Sequence, residues 1–322
     1  MKIKTLTKYI NSKILWVLIT LSIVALGFGL FQAGSLAADY INYKSKFSWG
    51  AFDPRDEFVN DSKVKIQNKF WGWNGSDYSQ LDDILNKSKY STQTLLLTVE
   101  PWLKGNYSPA DYYTELEKDT NKTIIKQTCV RLDKYIKDNN KSEVYLRWSH
   151  EMDLAGQSRY PWANGDKVGF IKAFRNIVTE CRKINNKIKI VWSPSGNKES
   201  IKYYPGSAYL DVIAFSVFSN PEWELKNLGK LQNFRDIFNT RYEMYKNYSK
   251  PIWVAEGGVG NYSADSNYQA KWWQDAKKDI LDPIRYVKLQ TFVYYYDNEK
   301  FPWYNSNNLP DYRIPKDQLF DK

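Results

Sequence analysis

Apolar and polar positions alternate along this chain in two rhythms. Short runs rich in Val, Ile, Leu and aromatic residues, at 47–52, 64–71, 94–99, 143–149, 188–193, 211–217, 252–256 and 286–294, read as strands. Between most of them apolar residues recur at helical spacing, over 78–87, 121–137, 167–183, 229–246 and 264–280. Strands alternating with amphipathic helices predict the α/β class, and eight such strands predict a closed (β/α)8 TIM barrel. The connections after the first and fifth strands hold at most a turn or two of helix. A doubly wound open sheet is the alternative, but the glycine-rich phosphate loop after its first strand is missing.

The first residues follow a different pattern. Lys2, Lys4, Lys8 and Lys13 precede a run from Ile14 to Ala38 that carries no charge. Such a run can cross a bilayer core of about 30 Å as one N-terminal transmembrane helix. The basic side then stays in the cytoplasm, and Asp39 onward faces outward. A cleaved signal peptide is the competing reading, since Ser35-Leu36-Ala37 resembles a cleavage site. The organisation expected is a basic segment at 1–13, an anchor or signal peptide at 14–38, a linker at 39–46 and one catalytic-size barrel at 47–322.

Composition narrows the chemistry. At 43% hydrophobic and 25% charged residues, the chain is neither disordered nor collagen-like. The net charge of +10 is dispersed, as in Lys183-Ile184-Asn185-Asn186-Lys187, with no basic cluster or recognition helix, so nucleic acid is not an expected partner. One histidine excludes a His-built metal site, and no Asp-x-Asp-x-Asp-Gly loop is present, so neither metal nor cofactor is expected. Cys129 lies in the stripe Ile125, Cys129, Leu132, Ile136, and Cys181 in Phe174, Ile177, Cys181, Ile184. Both thiols should therefore point into a core; two inert thiols are the expectation, a bridge the alternative. Aromatic residues are in excess, at 16% of the chain, which suggests a surface that stacks on flat rings.

In a barrel of this kind chemistry sits where strands end. The fourth strand ends in Arg147-Trp148-Ser149-His150-Glu151-Met152-Asp153, and the seventh reads Ile252-Trp253-Val254-Ala255-Glu256-Gly257-Gly258. Each delivers a carboxylate to the rim, and the two glycines would let the backbone turn away uncovered. Glycoside hydrolysis uses such a pair, one protonating the leaving oxygen and the other attacking the anomeric carbon. Glu151 is the expected acid/base and Glu256 the expected nucleophile, with Arg147 and His150 placed to orient and tune them. Sugar rings stack on aromatic faces, so Trp73, Trp102, Trp162, Tyr295 and Trp303, all at or beyond strand ends, are candidate platforms. Trp71 and Trp192 are better read as caps of the barrel core.

These motifs resemble glycoside hydrolase family 26, whose members are retaining (β/α)8 glycanases with the acid after strand four and the nucleophile after strand seven. The family pattern Arg-x-x-His-Glu-Met-Asn-Gly is met by Arg147, His150, Glu151 and Met152, and a following aromatic-Pro-Trp by Tyr160-Pro161-Trp162. Glu100-Pro101-Trp102, Val191-Trp192-Ser193-Pro194 and Tyr203-Tyr204-Pro205-Gly206 with Asp211 match in order, from about Phe47 to Tyr296. The chain departs at Asp153-Leu154 and, more seriously, at Ser216-Val217-Phe218, where the mannanase-like pattern has Asp-Gly-Tyr. The family tyrosine donates a hydrogen bond to the nucleophile; Phe218 has no hydroxyl, a loss worth roughly 1.5–3 kcal/mol.

The resemblance implies an enzyme that cuts β-1,4-linked polysaccharide. The departures at Ser216 and Phe218 lean toward a β-glucan over mannan, with a β-mannanase as the second reading and a non-catalytic glycan-binding barrel as the third. Expected partners are the polysaccharide, the membrane and a polysaccharide synthase or export complex.

Overall fold

The structure, a computed structural model, describes residues 47–320 apart from 158 and 283. The expected basic segment, anchor and linker at 1–46 lie outside the described residues. Among the described residues no helix is long and apolar enough to cross a membrane. The chain divides into two compact units, one of Phe47–Leu281 with Lys288–Lys322, the other containing Asp282–Val287. In the latter, the Asp282 carboxylate accepts from the backbone N–H groups of Ile284 and Arg285.

Eight parallel strands close into a barrel in chain order: β1 Ser48–Phe52, β2 Val64–Asn74, β3 Thr94–Trp102, β4 Val144–Trp148, β5 Ile188–Trp192, β6 Val212–Ser219, β7 Ile252–Val259 and β8 Leu289–Tyr295. The outer helices are α1 Ser79–Ser88, α2 Tyr112–Leu116, α3 Asp119–Asp138, α4 Lys167–Ile184, α5 Pro221–Leu228, α6 Phe234–Tyr245 and α7 Tyr268–Ile280. Inside, Ile66, Leu96, Val191, Val212, Ala214, Trp253, Ala255 and Val293 fill the lower barrel, with Tyr145 packed against Trp253 at 4.5 Å. Side chains thus plug the barrel and leave its C-terminal mouth as the place for a site.

Two short helices, α2 and α5, were not expected from periodicity. The expected helix over 229–246 begins only at Phe234. Gly229 adopts φ 70° and ends α5, and Asn233 with Asp236 forms a reciprocal cap that starts α6. No α-helix follows β1 or β5, as the short connections implied.

The cysteines correct an expectation. Both lie on the inward stripes of α3 and α4, but those stripes face each other, and Cys129 and Cys181 form a disulfide with a Cα–Cα separation of 5.0 Å. That spacing is within the normal range for a bridge. Helical periodicity places a thiol on a face without saying which face lies opposite.

Candidate active site

The mouth of the barrel is built on unusual backbone. At the end of β4, Ser149 and Glu151 both adopt left-handed conformations, with φ 50° and 56°. Such geometry is costly for residues with a Cβ and persists only where the surroundings fix it. Here Ser149 N–H donates to the Val99 carbonyl at 3.1 Å and Glu151 N–H to the Ser193 carbonyl at 2.8 Å, so the neighbouring strands hold the turn on both sides. The turn aims the Glu151 side chain into the mouth and His150 away from it.

On the opposite wall, pairing is irregular where chemistry is expected. The β6–β7 register slips between Phe215 and Ser216, and the β7–β8 register slips between Val254 and Gly257. Such bulges re-aim side chains, and this one sets Ser216 across from Glu256. The two glycines do not turn the chain away, as their sequence suggested, because β7 continues to Val259. Gly257 is needed for packing: a Cβ there would lie 2.6 Å from the Phe292 ring and 2.8 Å from the Val217 carbonyl oxygen.

Glu151 and Glu256 line one cavity of about 1240 Å³. Arg147, fully buried, reaches from β4 to donate from Nη1 to Glu256 Oε2 at 2.5 Å and from Nε to Ser193 Oγ at 2.9 Å. Ser216 Oγ donates to Glu151 Oε1 at 2.5 Å. Burial raises the pKa of Glu151, against the Ser216 hydrogen bond and the Arg147 charge. Burial likewise pushes Glu256 up to about 7, with Arg147 pulling it down and the Glu151 charge pushing it up.

The two carboxyls face one cavity and are coupled, each raised by burial. Arg147 makes the pair unequal. A buried guanidinium robbed of its anion is strongly destabilising, so Arg147 favours the ionised form of Glu256, whereas Glu151 is held by the Ser216 hydroxyl. Two carboxyls in such unequal surroundings can supply a nucleophile and an acid.

His150 does not touch either carboxyl through any hydrogen bond observed. Its Nε2 meets the Tyr160 hydroxyl at 3.1 Å, and its ring packs edge-on against Phe70 at 5.7 Å. Burial, aided by the charges of Arg147 and Arg159, holds its pKa well below the usual value, so it is neutral. Tyr160 lines the cavity and stacks on Trp162 at 4.6 Å.

The expected platforms separate into two groups. Trp73 and Trp162 are 1% and 0% exposed and do not line the cavity, so neither can present a face to a sugar. Trp162 instead fixes the strained turn, donating from Nε1 to the His150 carbonyl at 2.7 Å, and the Tyr113 hydroxyl donates to the Trp162 carbonyl at 2.7 Å. Trp71 and Trp192 are buried, as expected of core caps. Trp102 is half-buried beside the cavity and donates to Glu100 at 3.1 Å, and Glu100 itself lines the wall.

Tyr295, Phe218 and Trp303 do line the cavity. Tyr295 stacks on Phe52 at 4.7 Å, and Phe218 sits between Tyr295 at 5.6 Å and Trp303 at 6.3 Å. Phe218 is thus part of an aromatic wall. Sequence reading missed Arg159 and Phe301, which also face the cavity, and treated Ser216 only as a departure. Only a side-chain position could reveal that its hydroxyl reaches Glu151. Among the described residues no group of three His, Cys, Asp or Glu side chains could hold a metal ion.

The family model for glycosyl hydrolase family 26 matches residues 121–280, a stretch that contains both carboxylates. The chain is a member of glycosyl hydrolase family 26. It is a glycoside hydrolase. Solved structures with the same fold include GH26C from Muricauda sp. MAR_2010_75, at 13% identity and TM-score 0.58, covering 81% of this chain and 83% of that one. The catalytic domain of a Bacillus sp. JAMB-750 endo-β-1,4-mannanase matches at 14% identity and TM-score 0.57, covering 81% and 80%. A β-mannanase from Bacteroides ovatus matches at 14% and 0.54, covering 81% and 83%. At these identities the likeness concerns the barrel fold alone. No curated sequence matches the chain.

Proposed function

We propose that this family 26 member is a retaining endo-β-glycanase that cleaves β-1,4-linked polysaccharide, with Glu256 as nucleophile and Glu151 as acid/base. The observation that carries the reading is the asymmetry of the pair: Glu256 bears the buried Arg147, and Glu151 bears only the Ser216 hydroxyl. Glu256 attacks the anomeric carbon as Glu151 protonates the departing oxygen. Glu151, now ionised, then takes a proton from the water that releases the sugar. Tyr160, Tyr295 and Trp303 supply the cavity's stacking and hydrogen-bonding walls, and Arg147, His150, Trp102 and Trp162 support them from behind.

The substrate favoured is a β-glucan, cellulose-like or mixed-linkage. Ser216 and Phe218 stand where the mannanase-like pattern has Asp and Tyr, and Phe218 adds an apolar wall in place of a hydroxyl. Mannan is the second reading, supported by the names of the Bacillus and Bacteroides neighbours. On this reading the barrel works outside the cytoplasm, a position supported by the Cys129–Cys181 bridge. The segment at 14–38 anchors it to the membrane, beside the synthase or export complex that delivers its polysaccharide. Reducing-end release from carboxymethyl cellulose, lichenan, glucomannan and mannan separates the readings. Cleavage of the glucans above mannan is expected, preference for mannan reverses the substrate choice, and no release from any of them sinks the enzyme reading.

A further inference from the structure

In a closed barrel of eight strands in chain order, β4 and β8 lie diametrically opposed. A contact between the segments that follow them, made by side chains that line the cavity, spans part of the mouth. The Arg159 guanidinium, between β4 and α4, lies 3.9 Å over the ring of Phe301, which follows β8. Both side chains line the cavity that holds Glu151 and Glu256.

The crossing is anchored at each end. Arg159 lies 5.1 Å from the rings of both Trp102 and Tyr160, and its Nη2 is 3.8 Å from Glu100. Beyond Phe301, the loop after β8 is tied to α5: Trp223 Nε1 donates to the Tyr304 carbonyl at 2.8 Å, and Lys226 Nζ to the Asn305 carbonyl at 2.9 Å. The Asn305 side chain also donates to Asn227 at 2.8 Å.

The cavity is lopsided about this bar. From the first three strands its lining has only Phe52, Phe70 and Glu100, whereas it runs on past Ser195, Asn197 and Gln232 to Arg241 on the other side. We propose that the Arg159–Phe301 contact limits how many sugar rings bind on the β1–β3 side of the carboxylates, and so sets where along a bound chain the cut falls. This rests on the glycanase reading above and adds a determinant of product length to it.

The test compares the wild type with Phe301→Ala and Phe301→Tyr on a length series of end-labelled β-1,4 gluco- and manno-oligosaccharides, with Tm recorded for each protein. Phe301→Ala is expected to move cleavage away from the favoured bond, changing the ratio of products by about threefold, the scale of a partly exposed cation–π contact. Phe301→Tyr keeps the ring and is expected to keep the wild-type pattern. Equal bond-cleavage frequencies in wild type and Phe301→Ala, with Tm unchanged, overturn the proposal while leaving the hydrolase intact. If the wild type cuts nothing, the glycanase reading fails and calorimetric binding of the same series decides the bar. Affinity that keeps rising to longer chains only in Phe301→Ala supports it, and identical length dependence overturns it.

Discussion

Ser216 links the two carboxylates: its Oγ donates to Glu151 Oε1 at 2.5 Å, while its backbone pairs in register with Glu256. A serine hydroxyl facing a carboxylate favours the ionised form, so it restrains the rise that burial imposes on Glu151. Ser216→Ala is expected to move the alkaline limb of the kcat/KM profile to higher pH and to lower kcat by about tenfold, the loss of one hydrogen bond to a charged group. An unchanged profile with unchanged kcat contradicts this placement of the hydroxyl.

The pH dependence of the wild type follows from the same pair. Activity falls at low pH as Glu256 takes up a proton and at high pH as Glu151 loses one. Burial raises both groups above the ordinary carboxylate range, so both limbs are expected above those of exposed glutamates. A rate profile already at its plateau in the range where free glutamates titrate argues against the buried pair.

Arg147 favours the ionised form of Glu256, against the burial that raises its pKa. Arg147→Lys loses the planar fork that spans Glu256 and Ser193. The acid limb is expected to shift to higher pH, with kcat down by roughly 100-fold, the lower end of the cost of breaking a buried pair. Steady-state kinetics across pH checks both.

Cavity-lining and fully buried tryptophans are expected to behave differently. Trp303→Ala removes a cavity wall and should raise KM on long oligosaccharides by about tenfold, a typical loss for an aromatic contact. Trp162→Phe removes the hydrogen bond that holds the His150 carbonyl, and should lower kcat with little dependence on chain length.

The Cys129–Cys181 bridge closes a loop with a sequence separation of 52, for which loop-closure entropy gives about 4 kcal/mol. Denaturant unfolding with and without reductant measures that difference. Titration of the unfolded, unreduced protein should find no free thiol.

Much of this arrangement was legible in the residue pattern. The eight apolar runs gave the barrel, with each strand within a few residues of its observed bounds. The apolar runs that lead to Glu151 and Glu256 pointed to two carboxylates that line one cavity, because a polar residue at the C-terminal end of such a run emerges toward the mouth. What pattern alone conceals is direction. Trp162 and Trp303 look alike in sequence, yet one is sealed under a strained turn and the other opens onto the cavity. Cys129 and Cys181 each read as core positions, and only the packing of α3 on α4 makes them a pair. Phe301 and Arg159 belong to loops without periodicity, and meet only where the loops after β4 and β8 come together over the barrel.

Covalent labelling of the nucleophile is the most direct measurement. A 2-deoxy-2-fluoro-β-glycoside with a good leaving group should form a stoichiometric ester on the wild-type protein, which peptide mapping locates to Glu256, and no adduct on Glu256→Ala. An adduct on another residue, or products released with inverted anomeric configuration, would contradict the assignment of Glu256 as nucleophile and Glu151 as its acid/base.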